Sequence, residues 1–222
     1  MITLMSIPLF GNNYDVKTKL IVVNSKYISY IPKEISQLTS LETLDLYGNN
    51  MCTVPKEIYQ LASLKILVTN KNRIIKIPQE ICQLTSLIKL YLDRNKLTYI
   101  PKEICQLTSL EELYLDRNQI TNIPKEICQL TSLKILFLNS NQVTYIPKEI
   151  NQLTSLKELY LVDNPLPIIL LPNNNIYAVR TYLAKLEKSV RCIQSIKITL
   201  WLYYKWLEQY EFVTEDNLSI EI

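Results

Sequence analysis

Residues 100–120 read Ile-Pro-Lys-Glu-Ile-Cys-Gln-Leu-Thr-Ser-Leu-Glu-Glu-Leu-Tyr-Leu-Asp-Arg-Asn-Gln-Ile, and close copies recur every 23 residues through the middle of the chain. A proline marks the same position of each copy: Pro32, Pro55, Pro78, Pro101, Pro124 and Pro147. A fixed period of this kind is typical of stacked units, each too small to bury a core alone. The sequence therefore predicts a solenoid, whose function lies on a repeated surface and not in a single cleft.

Each unit predicts one strand and one return turn. Residues 113–115 alternate as Leu-Tyr-Leu, which predicts a short strand with both leucines facing inward and Tyr114 facing outward. The chain turns at Asn118, and Pro124 then suits the first position of a short helical turn over residues 125–130. Successive strands would lie side by side in a parallel sheet, about 4.8 Å apart.

An asparagine recurs in the same register. The six members are Asn49, Asn72, Asn95, Asn118, Asn141 and Asn164. A buried amide must find hydrogen-bond partners, and its two polar atoms can bond the backbone of its own unit and of the neighbouring one. We therefore expect these asparagines to form a structural ladder and to take no part in chemistry.

The combined pattern is Leu-x-x-Leu-x-Leu-x-x-Asn-x-Leu/Ile, followed by Ile-Pro-x-Glu-Ile-x-x-Leu. It resembles the leucine-rich repeat, and its Pro-x-Glu-Ile form is similar to the intracellular Ras-suppressor-like class. The resemblance implies an α/β solenoid: a curved arc with a parallel concave β-sheet, short helical turns on the convex side and a C-terminal helical cap. It also implies a role in binding proteins, and it implies no enzymatic activity by itself.

The period divides the chain into three predicted parts. Residues 1–20 are expected to cap the N-terminus, 21–166 to form one degenerate and six full units, and 167–222 to form a helical cap and an aromatic tail helix. In the degenerate unit Lys26 takes the asparagine position, which suits a capping unit. Thr69 replaces the second strand leucine of another unit and predicts a local weak spot.

The tail allows three interpretations. Between residues 189 and 212 apolar residues occupy more than one side of the predicted helix, including Trp201 and Trp206. The helix could pack on the cap and the last repeat, bind a partner helix or dimerise, or rest on a membrane surface. A monomer without membrane contact is the expectation, and an adaptor that uses this helix for targeting is the alternative function.

The outward strand positions carry the candidate binding site. Four successive strands place an aromatic residue there: Tyr91, Tyr114, Phe137 and Tyr160. Charged residues flank them, namely Asp93, Asp116, Arg94, Arg117, Lys89, Glu112 and Glu158. Exposed aromatics near arginine are the composition of a binding hot spot, which predicts a protein partner on this face. The alternative is cross-strand packing of the rings with no ligand.

Composition argues against an enzyme. The chain has no histidine, which removes the commonest general base and metal ligand. Its 2 glycines leave no glycine-rich phosphate loop, and a net charge of +3 without basic runs argues against nucleic acid. The carboxylates of Asp93, Asp116, Glu112 and Glu158 are expected to stay solvated, with nothing to raise a pKa. We expect no cofactor.

Cysteine usage and the termini predict a cytoplasmic protein. Cys82, Cys105 and Cys128 share one repeat position, but their spacing matches no zinc motif, so reduced and inert thiols are expected. Residues 1–10 lack the basic start and cleavage site of a signal peptide. The sequence thus favours a cytoplasmic scaffold or signalling adaptor.

Overall fold

A computed structural model describes residues 6–166, 179–181 and 183–184. The chain divides into two compact units, Met1–Val179 and Arg180–Ile222. The predicted tail helix over 189–212 lies outside the described residues, as does most of the predicted cap. Residues 179–181 and 183–184 are helical, and Val179 and Leu183 are buried.

The repeats form a parallel sheet of seven strands in chain order. The strands are β3 (Leu20–Val22), β4 (Thr43–Asp45), β5 (Ile66–Val68), β6 (Lys89–Tyr91), β7 (Glu112–Tyr114), β8 (Ile135–Phe137) and β9 (Glu158–Tyr160). Each residue pairs with the residue 23 positions later, as in Tyr91 with Tyr114. The predicted solenoid and its register are therefore confirmed.

Six five-residue 3-10 helices form the convex side. They span Lys33–Gln37, Lys56–Gln60, Gln79–Gln83, Lys102–Gln106, Lys125–Gln129 and Lys148–Gln152. The prediction that Pro124 is the first helical residue is wrong by one position. Pro124 is the cap before the helix, with an extended ψ of 144°, and its carbonyl accepts the first hydrogen bond from the N–H of Ile127 at 3.0 Å.

The core lies between the sheet and these convex helices. Leu113 at the centre of β7 and Leu115 just after it are fully buried, as the strand pattern predicts. Ile127 and Leu130 close the core from the convex side and are also fully buried. Because these positions repeat in every unit, neighbouring units share one continuous apolar layer.

An N-terminal hairpin precedes the repeats. Strands β1 (Ser6–Leu9) and β2 (Asn12–Asp15) pair antiparallel. Phe10 and Gly11 join them with φ angles of 52° and 80°, a two-residue turn that follows the right-handed twist of the strands. Strand β1 packs against the first convex helix, and its Ile7 and Leu9 are buried. Residues 6–15 of the predicted N-terminal segment thus form a hairpin, which the sequence pattern did not predict.

Candidate protein-binding face

The first and third residues of strands β3–β9 point away from the core, and we call the surface they form the concave face. On β6–β9 the third residues are Tyr91, Tyr114, Phe137 and Tyr160, which we call the aromatic column. All four side chains are half-buried and share one side of the sheet. The parallel register places them next to one another on consecutive strands.

The rings of the aromatic column stack face to face. Successive ring centroids are 4.5, 4.7 and 4.2 Å apart, and the ring planes differ by 14°, 13° and 2°. The faces between neighbouring rings are therefore occupied by the rings themselves. Between neighbouring rings the column exposes the ring edges, which carry the positive side of the aromatic quadrupole.

Two tyrosine hydroxyls are held by glutamates of their own strands. Tyr114 Oη donates to Glu112 Oε2 at 3.1 Å, and Tyr160 Oη donates to Glu158 Oε2 at 2.8 Å. Lys89 Nζ lies 2.8 Å from Glu112 Oε1, which joins β6 to β7. Burial raises the pKa of Tyr114, and the hydrogen bond to Glu158 raises that of Tyr160. Both hydroxyls thus stay protonated and orient the rings.

Asp93 and Asp116 correct one expectation. They were predicted to stay solvated, but both are half-buried, and burial raises the pKa of each carboxyl above its usual value. Asn70 Nδ2 donates to Asp93 Oδ2 at 3.4 Å, and the Asn139 N–H donates to Asp116 Oδ1 at 2.7 Å. Asn70 and Asn139, each two positions beyond the third residue of its strand, therefore contact carboxylates of the site, although they are not among the predicted site residues.

Arg94 and Arg117 stand at the edge of the concave face. Each has a left-handed backbone, with φ of 54° and 53°, and donates its N–H to the next unit, to the carbonyls of Asp116 and Asn139 at 2.8 Å. Both side chains are exposed. They line a shallow depression of about 430 Å³ together with Asp93, Asp116, Asn139, Ser140, Val162 and Asp163.

Side-chain hydrogen bonds join the recurring asparagines to the backbone of neighbouring units. Asn118 Nδ2 donates to the carbonyls of Leu92 and Leu115 at 3.1 and 2.9 Å, and Asn118 Oδ1 accepts the N–H of Leu97 at 3.0 Å. Asn72, Asn95, Asn141 and Asn164 repeat this arrangement, each one unit along. The ladder ties each unit to its predecessor and holds the strand ends in register.

Two irregular units keep their hydrogen bonds. The backbone N–H of Lys26 donates to Asn49 Oδ1 at 3.1 Å, so the first unit joins the ladder without an asparagine of its own. Thr69 is fully buried, and its hydroxyl donates to the Tyr91 carbonyl at 3.2 Å. Its polar atom is therefore satisfied within the core.

Within the part of the chain that the structure describes, no group of three or more metal-ligating side chains occurs. Cys105 is buried and carries a free thiol, and burial raises its pKa to about 12. Such a thiol is a poor nucleophile at neutral pH. Among the described residues, no helix has the length and hydropathy to span a bilayer.

Comparison with known families and structures agrees with this geometry. A family described as leucine-rich repeat region matches residues 17–95 and 80–167. A leucine-rich repeat protein of Leptospira interrogans is similar at 46% identity over 65% of this chain, with a TM-score of 0.62. No curated protein sequence matches the chain.

Two further solved structures show the same fold. The leucine-rich repeat ectodomain of the Arabidopsis thaliana membrane receptor kinase GASSHO1/SCHENGEN3, in complex with Casparian strip integrity factor 2, is 36% identical over 61% of this chain (TM-score 0.57). An internalin of Listeria monocytogenes is 30% identical over 60% (TM-score 0.55). The matched regions are 38% of the Leptospira chain, 17% of the Arabidopsis chain and 38% of the Listeria chain.

Proposed function

We propose that this chain, which belongs to the leucine-rich repeat family, is a non-enzymatic scaffold that binds another protein on its concave face. The observation that carries the proposal is the aromatic column on four consecutive strands. Proteins of this family are commonly interaction scaffolds, and the similar Arabidopsis ectodomain is in complex with Casparian strip integrity factor 2.

The rigidity of the column supports a binding role. Each ring is held by its stacked neighbours, and two are also held through their hydroxyls by Glu112 and Glu158. A surface that is already ordered loses little side-chain entropy on association. Aromatic side chains also bring a large apolar area to an interface, and they are enriched among the residues that dominate binding energy.

The stacking of the rings also favours one class of ligand over others. Sugars and nucleobases use aromatic platforms by lying against ring faces, and the internal faces of this column are occupied. Protein side chains can cover ring edges with apolar or edge-to-face contacts. We therefore favour a protein partner over nucleic acid.

We also propose a repeat class, a cellular location, a cellular role and an oligomeric state for the chain. The period of 23 residues with its Ile-Pro-x-Glu-Ile sequence supports the Ras-suppressor-like class of repeat. The free thiol of buried Cys105 is compatible with the proposed cytoplasmic location. A signalling-adaptor role and a monomeric state also remain proposals. A role of residues 189–212 in targeting stays a prediction, because those residues lie outside the described part.

Affinity capture with matched variants tests the function. The native chain, Tyr160→Ala and Tyr99→Ala are immobilised and exposed to a lysate of the source organism. Tyr160 is at the end of the column and, among the residues that the structure describes, its ring stacks only on Phe137, so its loss removes binding surface while leaving the other rings stacked. Tyr99 is 47% exposed and lies outside the concave face, so Tyr99→Ala controls for the loss of a surface tyrosine.

The proposal predicts proteins that the native chain and Tyr99→Ala retain and Tyr160→Ala loses. Circular dichroism should show all three chains folded at the capture temperature. Equal capture of every partner by the native chain and Tyr160→Ala would show that the aromatic column is not the binding surface.

A further inference from the structure

The concave face under the aromatic column is acidic, although the chain as a whole carries a net charge of +3. On β6–β9 and the two residues that follow each strand, the outward charged side chains are four carboxylates and one ammonium group. They are Asp93, Asp116, Glu112, Glu158 and Lys89. The next position along the chain adds the exposed side chains of Arg94, Arg117 and Asp163, which leaves five carboxylates against three positive groups. This face therefore has the opposite sign to the protein's net charge.

The free protein neutralises this charge only in part. Lys89 pairs with Glu112, and the contact holds both side chains in place. Glu158 is exposed, and its carboxylate accepts the hydroxyl of Tyr160, which brings no positive charge. The positive charge of Arg94 and Arg117 lowers the pKa of Asp93, but burial has the larger effect and the pKa stays raised.

The two aspartates also repel each other. The charge of Asp93 adds to burial in raising the pKa of Asp116, while Arg117 opposes them less strongly. A partner that covers this surface removes more water from both carboxylates. Such burial is costly unless the partner brings a positive charge or donors to the same place.

We propose that the segment that docks on the aromatic column is basic: its apolar residues cover the ring edges while lysine or arginine side chains reach Asp93, Asp116 and Glu158. The inference rests on the proposed function and adds the chemistry of the partner. The carboxylates of this face would repel an acidic segment. A neutral segment would bury Asp93 and Asp116 without supplying a positive charge. The aromatic column has Glu112 and Glu158 on one side and Asp93 and Asp116 on the other, so an amphipathic basic segment matches both the ring edges and the carboxylates.

Three matched peptides test the inference. The first alternates leucine and lysine, and the other two carry glutamate or glutamine at every lysine position. Each is titrated against the full 222-residue chain, with NMR of the aromatic ring signals to locate binding and calorimetry to measure affinity. The lysine peptide should shift the signals of the column and bind roughly tenfold or more tightly than the glutamate peptide. Its affinity should fall as salt is raised.

Two double variants test which carboxylates cause the preference for the lysine peptide. Asp93→Asn with Asp116→Asn should weaken the lysine peptide roughly tenfold while keeping the rings stacked. The control, Glu103→Gln with Glu126→Gln, removes two carboxylates from the convex helices and should leave affinity unchanged.

The outcomes separate this inference from the proposed function. If the glutamate or glutamine peptide binds the column as tightly as the lysine peptide, the basic partner is refuted while the protein-binding face stands. If the preference for lysine survives in Asp93→Asn/Asp116→Asn, or is lost equally in the control, the assigned residues are wrong. If no peptide shifts the ring signals, the inference fails, and the capture experiment with Tyr160→Ala decides the proposed function separately.

Discussion

Removal of one rung of the asparagine ladder should cost more than its small volume suggests. Asn118→Ala deletes three hydrogen bonds of 3.1 Å or less, to the carbonyls of Leu92 and Leu115 and the N–H of Leu97. Asn118 is 8% exposed, so water does not readily replace the amide. A buried polar group left unpaired costs about 1–3 kcal/mol. An unpaired carbonyl costs less free energy than an unpaired N–H. We therefore expect Asn118→Ala to lower the free energy of unfolding by about 2–5 kcal/mol.

Asn122→Ala is the matched control, because Asn122 is an exposed asparagine of the same unit whose side chain contacts only the Thr121 hydroxyl among the described hydrogen bonds. It should change stability by less than about 0.5 kcal/mol. Urea unfolding followed by far-ultraviolet circular dichroism measures both variants. If Asn118→Ala is no less stable than Asn122→Ala, the ladder does not hold the repeats together and this reasoning is refuted.

Three other predictions concern the core and the ionisable groups. Leu113→Ala empties a fully buried position and should cost about 2–5 kcal/mol in urea unfolding; a loss below 1 kcal/mol, by the same principle, would mean that the strand leucines are not the core. Burial raises the pKa of Asp93 and Asp116 above 3.8, so their ionised forms destabilise the fold above the folded pKa values and not below 3.8. Asp93→Asn/Asp116→Asn should therefore unfold at higher temperature than the native chain at neutral pH, with the gain vanishing at acid pH; a gain that is independent of pH would contradict the assignment. Hydrogen bonds from Lys19 and Lys65 lower the pKa of Glu42 from 4.5 to about 2, so this group stabilises the fold above 4.5 and the contribution is lost as pH falls towards 2. An NMR titration of Glu42 that gives an ordinary glutamate pKa would show that the ion pairs with both lysines do not form in solution.

The period of 23 residues made the sheet predictable because every unit repeats the same packing problem. Leu113 can be buried only if each unit stacks on the next, and this stacking pairs Tyr91 with Tyr114 on neighbouring strands. The asparagine ladder followed from the same logic, since a buried amide at a fixed position must bond to the neighbouring unit. These features depend on pattern, and pattern is visible in a sequence.

Other features depend on contacts that a repeat pattern does not contain. The hairpin over residues 6–15 lies before the repeats, and its turn uses Phe10 in a left-handed conformation that offers little sequence signal. The pKa shifts of Asp93 and Asp116 arise because the strand ends and neighbouring side chains cover them. The sequence positions of these two aspartates alone predicted side chains exposed to solvent.

The aromatic column shows most clearly what the sequence pattern could not predict. The sequence predicted that four rings share a face, but it did not distinguish a row of separate anchors from a stack. In the structure the centroids of successive rings are at most 4.7 Å apart, and the stack exposes the ring edges. Tyr114 has a neighbour on both sides, so Tyr114→Ala should also destabilise the sheet. For this reason Tyr160→Ala is the cleaner probe of binding.

The central claim is that a partner contacts the stacked rings of the concave face. The most direct test is a titration of the captured partner into the chain, with NMR of its aromatic ring signals. Binding on the concave face should shift the signals of Tyr91, Tyr114, Phe137 and Tyr160 while those of exposed Tyr30, Tyr99 and Tyr145 stay unchanged. Shifts confined to Tyr30, Tyr99 and Tyr145, with the stacked rings unaffected, would contradict it.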